Sequence, residues 1–319
     1  MVVLVVSVLL SACGTRHQAL PPLTLDAVPS SSIATPLLVS GCAQQHCWAA
    51  GTTTVQGVTT TLVERQTLAG QWTPVASPVA TGTISALACS DTTCFIGGTA
   101  NGQDLLWAAP TATSTLAPVP IADGTGIAAL SCTATFCAGV DHTATGAVRL
   151  VNLADASSTT VTGLAAHDTL TALSCASATE CWIGATTSAG AAVLLATTDG
   201  VSWLPVTTPS WVSVLSLSCT TTCVGLVQDA SSQYIARQTN QGWHSDRVPF
   251  VASAMSCASA GVCVVVGQHA TGEGAAELWR SGQIQPTIIH YAPTPFTAVG
   301  CSATDCAAVG ATTLLSLRP

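Results

Sequence analysis

Short segments in which hydrophobic and polar residues alternate are separated by turn-forming residues along most of the chain. Thr83–Cys89 alternates in this way, and a period of two is typical of a β-strand with one buried face. Asn101-Gly102 is a typical two-residue hairpin turn. This part of the chain therefore predicts four antiparallel strands, at residues 83–89, 94–98, 104–109 and 114–118.

The same pattern recurs together with pairs of closely spaced cysteines. Successive pairs begin 38 to 47 residues apart, which is the length of one four-stranded propeller blade. The sequence therefore predicts an all-β fold, a seven-bladed β-propeller spanning residues 22–319. The pairs are Cys42/Cys47, Cys89/Cys94, Cys132/Cys137, Cys175/Cys181, Cys219/Cys223, Cys257/Cys263 and Cys301/Cys306.

Each cysteine pair falls at the predicted turn between the first and second strands of its blade. Directly opposed residues in an antiparallel pair lie close enough for a disulfide. Zinc is the alternative for Cys42 and Cys47, because His46 is adjacent. A structural zinc site needs two such pairs to converge, however, and pairs on different blades would lie far apart. One disulfide per blade is therefore favoured, and no metal is expected.

The last repeat is too short to supply four strands. Only 13 residues follow Cys306, enough for a second and a third strand. The N-terminal stretch 23–29 resembles the predicted outer strand at 115–120, and both lead into a first-strand pattern. We therefore expect the N-terminal strand to complete the last blade and close the ring, which removes an open sheet edge.

The first residues predict export. An apolar run over residues 1–10 leads into Leu10-Ser11-Ala12-Cys13-Gly14, which resembles a bacterial lipobox. The resemblance implies a signal peptide over residues 1–12 and lipid on Cys13. Residues 13–21 would then tether the propeller to the extracytoplasmic face of the cell membrane. The apolar run is shorter than the roughly 20 residues that span a bilayer, so lipid would be the anchor.

Composition argues against one class of partner. The chain has 22 charged residues, no lysine and a net charge of −8. Nucleic-acid binding needs clustered Lys and Arg to neutralise phosphates, so no nucleic acid is expected. The sequence indicates no cofactor, and we expect a monomer.

One turn carries a family resemblance. Thr197-Thr198-Asp199-Gly200-Val201-Ser202-Trp203 is similar to the Asp-box turn of BNR-type propellers, in which the Asp caps the turn between the third and fourth strands. The stretches 66–72 and 238–243 keep the Gly and Trp but lose the Asp. The repeats also resemble secreted actinobacterial propellers, which are similar to sortilin-like and photosystem-assembly-factor-like propellers. These relatives mostly bind proteins or sugars.

The same resemblance raises sialidase activity, which the residues do not support. That chemistry, as the family implies, needs three arginines, a Tyr nucleophile with a Glu, and an acidic Asp. Arg65 and Arg237 are expected on the outer half of their blades, facing solvent. Only Tyr234 and Tyr291 are tyrosines, and neither has a Glu placed beside it. The sequence therefore favours a protein without enzymatic activity.

Candidate binding residues lie in the connections that propeller architecture gathers around one mouth of the channel. Aromatic and carboxylate groups there could stack on a sugar or anchor a protein. The alternative is that the aromatic residues cap packing between blades and the histidines are solvated. Two functions remain open: a scaffold or assembly factor for another envelope protein, or an envelope glycan-binding or glycan-hydrolysing propeller. The candidates are Asp123, His167, Asp168, Trp211, His290 and Tyr291.

Overall fold

The structure, a computed structural model, describes most of the repeat region. Described are residues 24–27 and 37–318, apart from 45, 57, 68–69, 78–80, 112, 221, 260, 281–282, 286–291 and 312–313. The segment that resembles a lipobox, with Cys13, lies outside the described residues, as do His290 and Tyr291. Among the described residues, no helix has the length and apolar character needed to cross a membrane.

The described chain folds into antiparallel strands, which we number in chain order from β1 (Thr24–Ala27). Sheet 1 contains β2 (Leu37–Ala43), β3 (His46–Val55), β4 (Val58–Gln66) and β5 (Trp72–Val75). Sheet 2 contains β6 (Thr83–Cys89), β7 (Thr93–Ala100), β8 (Gln103–Pro110) and β9 (Ala117–Pro118). Sheet 3 contains β10 (Gly124–Cys132), β11 (Cys137–Thr143), β12 (Val148–Asn152) and β13 (Ser158–Thr160).

The C-terminal half repeats this arrangement. Sheet 4 contains β14 (Thr169–Cys175), β15 (Cys181–Thr186), β16 (Ala192–Thr197) and β17 (Leu204–Pro205). Sheet 5 contains β18 (Ser213–Cys219), β19 (Cys223–Gln228), β20 (Gln233–Thr239) and β21 (Gly242–Arg247). Sheet 6 contains β22 (Val251–Ser259), β23 (Val262–Gln268), β24 (Gly274–Arg280) and β25 (Gln283–Gln285). Sheet 7 contains β26 (Phe296–Cys301), β27 (Cys306–Gly310), β28 (Leu314–Arg318) and β1.

The sheets are not all built in the same way. In the described chain, six sheets are each formed by four consecutive strands, so a blade made from one continuous segment occurs six times and not seven. The remaining four-stranded sheet is assembled from both chain ends, in the order β26, β27, β28, β1. Leu25 pairs with Leu317 in this sheet. The short last repeat is therefore completed by the N-terminal strand, as its length predicts.

Neighbouring sheets bury their apolar faces against each other. Each first strand packs against the first strand of the next sheet, and β26 packs against β2. Trp48 of sheet 1 and Ile96 and Trp107 of sheet 2 belong to one buried cluster, and comparable clusters lie between other pairs of sheets. Burial of this apolar surface is the main favourable contribution to the fold.

All of the predicted disulfides form, one in the first hairpin of each described sheet. The paired cysteines face each other at the end of that hairpin, with Cα atoms 3.8 to 4.1 Å apart. Among the described residues, no group of three or more His, Cys, Asp or Glu could hold a metal ion. The bonded pairs are Cys42–Cys47, Cys89–Cys94, Cys132–Cys137, Cys175–Cys181, Cys219–Cys223, Cys257–Cys263 and Cys301–Cys306.

Candidate functional site: the disulfide mouth of the channel

The first strands of the described sheets surround a central channel. A cavity of about 820 Å³ lies where these strands reach their cysteines. Its wall consists of small or apolar residues and disulfide sulfurs, such as Gly41, Leu87, Ser131 and Gly300. A volume of this size is within the range of ligand pockets, about 300 to 1,000 Å³. The channel therefore has room for a side chain or a short segment of a ligand.

A second cavity, of about 630 Å³, extends the same space outward. Its lining shares Cys42, Cys89 and Cys132 with the first cavity and adds His46 and Asp91 from the first hairpins. We call the two cavities together, with the hairpins that line them, the disulfide mouth. The disulfide mouth is at the opposite end of the channel from the connections in which the sequence analysis placed its candidates.

Serine hydroxyls tie neighbouring hairpins together around the disulfide mouth. The Oγ of Ser131 accepts a hydrogen bond from the Cys175 N–H at 2.8 Å, and the Oγ of Ser174 accepts one from the Cys219 N–H at 2.7 Å. Ser256 does the same for Cys301 at 3.0 Å. In sheets 3, 4 and 6 the serine before the first cysteine therefore satisfies a backbone N–H of the next sheet and ties the hairpins around the mouth together.

The ionisable groups at the disulfide mouth are few and mostly acidic. Asp91 and Glu180 are exposed and lie on the first hairpins of sheets 2 and 4. His46 is partly buried, and its Nδ1 lies 3.4 Å from Arg65 Nη2. Burial, followed by the positive charge of Arg65, lowers the pKa of His46. No arginine is among the described residues that line the two cavities, so carboxylates dominate the rim.

The expectation that Arg65 and Arg237 face solvent is wrong. Both residues are partly buried, and the Nε atom of each is shielded from solvent. The Arg65 guanidinium lies over the Trp48 ring, 5.9 Å from its centroid. Trp48 is the cross-strand neighbour of Arg65 in sheet 1, so the long arginine side chain packs along its ring.

The candidates from the sequence lie on separate connections. Asp123, before β10, and His167, before β14, are exposed. Asp168 is buried and caps its own turn, accepting a hydrogen bond from the Ala165 N–H at 2.8 Å. Trp211, before β18, is buried and packs edge-on against Trp243, with ring centroids 5.0 Å apart. No described hydrogen bond or ring contact joins any two of these four residues.

The Asp-box-like turn has a defined local structure. The Asp199 carboxylate accepts hydrogen bonds from the N–H groups of Val201 at 2.9 Å and Ser202 at 2.6 Å, and from the Thr197 hydroxyl at 3.0 Å. These hydrogen bonds lower the pKa of Asp199. Trp203 is buried directly after the turn. Asp199 therefore caps the connection between β16 and β17.

Sequence reasoning did not identify the disulfide mouth as a site. Its wall is made from the residues around the first cysteines, which the sequence indicates only as the ends of the first strands. The signal that could have pointed to it is the repetition of a small residue before the first cysteine, as in Ser40-Gly41-Cys42 and Gly300-Cys301. Repeated small residues leave space on a channel wall.

Comparison with known proteins supports the fold. No family model matches the chain, and no curated protein matches it. Among solved structures, the chain is similar to U3-55K with a TM-score of 0.65 and 12% identity, covering 93% of this chain and 98% of that one. It is similar to the WD40 β-propeller domain of Doa1 with a TM-score of 0.63 and 9% identity, covering 93% and 97%. It is similar to YCF48 bound to a D1 peptide with a TM-score of 0.61 and 12% identity, covering 94% of this chain and 97% of that one. These likenesses show that the chain has a β-propeller fold.

Proposed function

We propose that this protein is a non-enzymatic scaffold that binds a segment of another envelope protein at the disulfide mouth. The observation that carries the proposal is the cavity of about 820 Å³ at the mouth, lined by strand backbone, hydroxyl groups and small side chains. Such a wall offers many hydrogen-bonding groups and few ionisable side chains. One similar structure, YCF48, is described as bound to a D1 peptide.

The charge of the disulfide mouth favours one kind of segment. Asp91 and Glu180 are exposed at the rim, and complementary charge raises both the specificity and the rate of association. The wall inside the rim carries Leu87, Leu130 and Met255 between its serines. We therefore expect an extended peptide segment that combines Lys or Arg with one or two apolar side chains.

The ionisable groups of the mouth suit binding better than catalysis. His46, Asp91 and Glu180 come from the first hairpins of three different sheets. Glycoside hydrolysis needs two carboxyl groups about 5 to 10 Å apart with a raised pKa on the acid. Asp91 and Glu180 lie on sheets 2 and 4, with sheet 3 between them, so the two carboxyl groups are not on adjacent hairpins.

The cellular location is part of the proposal. Disulfides in every described sheet suit an oxidising compartment, and the lipobox resemblance at Cys13 supports attachment to the extracytoplasmic face of the membrane. A Cys13→Ser variant should lose incorporation of a clickable fatty acid and should move from the membrane fraction to the soluble one. Unchanged labelling and fractionation would remove the lipid anchor from the proposal.

Site-specific photo-crosslinking in intact cells tests the binding site. A photoreactive residue replaces Ala134, which is exposed at the disulfide mouth, or Ala189, which is exposed on the turn between β15 and β16 at the opposite end. We expect position 134 alone to crosslink one envelope protein, and the crosslinked peptide to be basic. A synthetic copy of that peptide should bind the purified protein, with at least tenfold weaker affinity for a D91N/E180Q variant.

Three outcomes would contradict the proposal. Equal crosslinking from the photoreactive residue at positions 134 and 189 would show that binding is not specific to the disulfide mouth. A crosslinked peptide that binds the purified wild-type and the D91N/E180Q variant equally would remove the role of the acidic rim. Crosslinks that carry only glycan would favour the glycan-binding alternative.

A further inference from the structure

Three ionisable side chains meet in the interface between sheet 2 and sheet 3. Asp104 lies at the start of β8, Asp141 on β11 and Arg149 on β12. The Arg149 guanidinium binds Asp141 through Nε at 2.8 Å and Nη2 at 2.7 Å, and its Nη2 also contacts Asp104 at 3.2 Å. The side chains of Asp104 and Asp141 are 1% and 0% exposed, and that of Arg149 is 12% exposed. The cluster is therefore shielded from water.

The charges of the cluster do not balance without a proton. One guanidinium can neutralise one carboxylate, and the Arg149 guanidinium makes a bidentate contact with the Asp141 carboxylate. Asp104 and Asp141 both contact Nη2 of Arg149, at 3.2 and 2.7 Å, so their carboxyl groups lie close together, and a proton on one of them lets the two share a hydrogen bond. A second buried negative charge without a partner would be costly. The cluster is neutral when Asp104 holds one proton.

Asp104 also holds the chain that enters sheet 3. The Gly126 N–H donates a hydrogen bond to Asp104 Oδ1 at 2.7 Å. This N–H is not paired with β11, because the β10–β11 register shifts between Gly124 and Ile127. Gly126 has a φ of 146°, which residues other than glycine rarely adopt. A Cβ at Gly124 would overlap the Asp104 carboxyl group. Backbone and carboxyl group are therefore in direct contact.

We propose that Asp104, Asp141 and Arg149 form a proton-dependent latch between sheets 2 and 3. With the proton on Asp104 the latch is neutral and closed. When the proton leaves, two buried carboxylates face one guanidinium, and the burial of a second negative charge beside Asp141 disfavours the closed interface, although the Gly126 N–H and Arg149 favour the charged form. The latch is distinct from the disulfide mouth, because it lies beside the turn Asn101-Gly102 at the other end of the channel.

The titration of Asp104 sets the pH range. Burial, followed by the hydrogen bond and the charge of Asp141, raises the pKa of Asp104 to about 7, against the Gly126 N–H and Arg149, which lower it. The charged groups around the latch are Asp141 on β11, Arg149 on β12 and Asp123 on the connection before β10. The folded protein binds this proton more tightly than the unfolded chain. The stabilisation is therefore complete below the ordinary Asp pKa of about 4 and is lost as the pH rises through about 7.

The variant Asp104→Asn tests the latch. Its amide can donate to Asp141 and its oxygen can still accept from Gly126, so it copies the protonated state at every pH. In urea unfolding between about pH 5 and pH 8.5, the folding equilibrium constant of the wild type relative to D104N should fall by up to tenfold per pH unit and then level off above about pH 7. D91N, which removes an exposed carboxylate, should run parallel to the wild type. Parallel curves for D104N and the wild type would overturn the proposal.

A second measurement does not depend on the variant. Hydrogen exchange of the segment that contains Gly126 should be slower at about pH 5.5 than at about pH 8, after correction for the intrinsic exchange rate, because the closed interface between sheets 2 and 3 is more stable while Asp104 holds its proton. D104N should keep that protection at both pH values. Equal protection of the wild type at both values would contradict a proton-dependent contact.

Discussion

At the scale of single residues, the serines before the first cysteines connect one sheet to the next. Ser174 is buried, and its hydroxyl accepts a hydrogen bond from the buried Cys219 N–H in the neighbouring sheet. In sheet 2 the equivalent position is Ala88, which cannot form such a bond. The serine is therefore a local contribution to the interface between sheets and not a requirement of the strand itself.

Replacing Ser174 with alanine should destabilise the protein by about 1 to 3 kcal/mol, because the Cys219 N–H would remain buried without an acceptor. Urea unfolding measures the change. Ser188→Ala is the matched control, since Ser188 is exposed on the turn between β15 and β16, and it should change stability by less than about 0.5 kcal/mol. Equal losses in the two variants would show that the Ser174 hydroxyl contributes nothing specific.

The sequence predicts where the strands lie, but it predicts few of the contacts that individual side chains make in the folded protein. Alternation and the repeated cysteine pairs locate the first strands, because both depend on local backbone geometry. The contact between Asp104 and Arg149 joins residues 45 positions apart and depends on how two sheets pack. The partly buried position of Arg65 was missed because the strand pattern does not show that its side chain lies over Trp48, its cross-strand neighbour. Local patterns do not contain the packing of one sheet on another, so the latch could not be predicted from them, and the disulfide mouth is indicated only by the small residues before the first cysteines.

At the scale of strands and hairpins, the outer edges of the sheets are protected from pairing with other molecules. The outermost strands β9 and β17 have two residues each, and each ends in a proline, Pro118 and Pro205. β5 contains Pro74. Proline has no N–H to donate, and short edge strands limit aggregation. The sequence predicted the outer strand of sheet 2 at residues 114–118, and β9 covers only Ala117–Pro118, so the end of this strand was predicted correctly and its start was not.

The disulfides of the first hairpins should act locally. Each closes a short loop, such as Cys175–Cys181 with a sequence separation of 6, so the chain-entropy model gives about 2 kcal/mol for one bond. The double variant C175A/C181A should lose about that amount in urea unfolding. Hydrogen exchange should increase in the first hairpin of sheet 4 and in the adjoining Cys219 segment, and not in sheet 1. An increase that spreads over all sheets would show that a single disulfide holds the entire ring.

At the scale of the whole molecule, the ring depends on one pairing between the two chain ends. Thr24–Ala27 pairs with Leu315–Arg318, so β1 covers what would otherwise be the outer edge of sheet 7. β28 carries Leu314, Leu315 and Leu317. An open edge of this composition is a template for pairing with another chain. The N-terminal strand therefore contributes both to stability and to the expected monomeric state.

Two truncations separate this role from that of the preceding segment. Removing residues 1–21 leaves β1 in place, and removing residues 1–28 deletes it. Loss of a four-residue antiparallel pairing should cost about 2 to 4 kcal/mol, at roughly 1 kcal/mol for each hydrogen bond, and should expose the β28 edge. Only the longer truncation should therefore show a lower urea midpoint and a concentration-dependent increase in mass by light scattering. If both truncated proteins remain monomeric and equally stable, the pairing of β1 with β28 does not hold the ring closed, and contacts between the first strands alone must be sufficient.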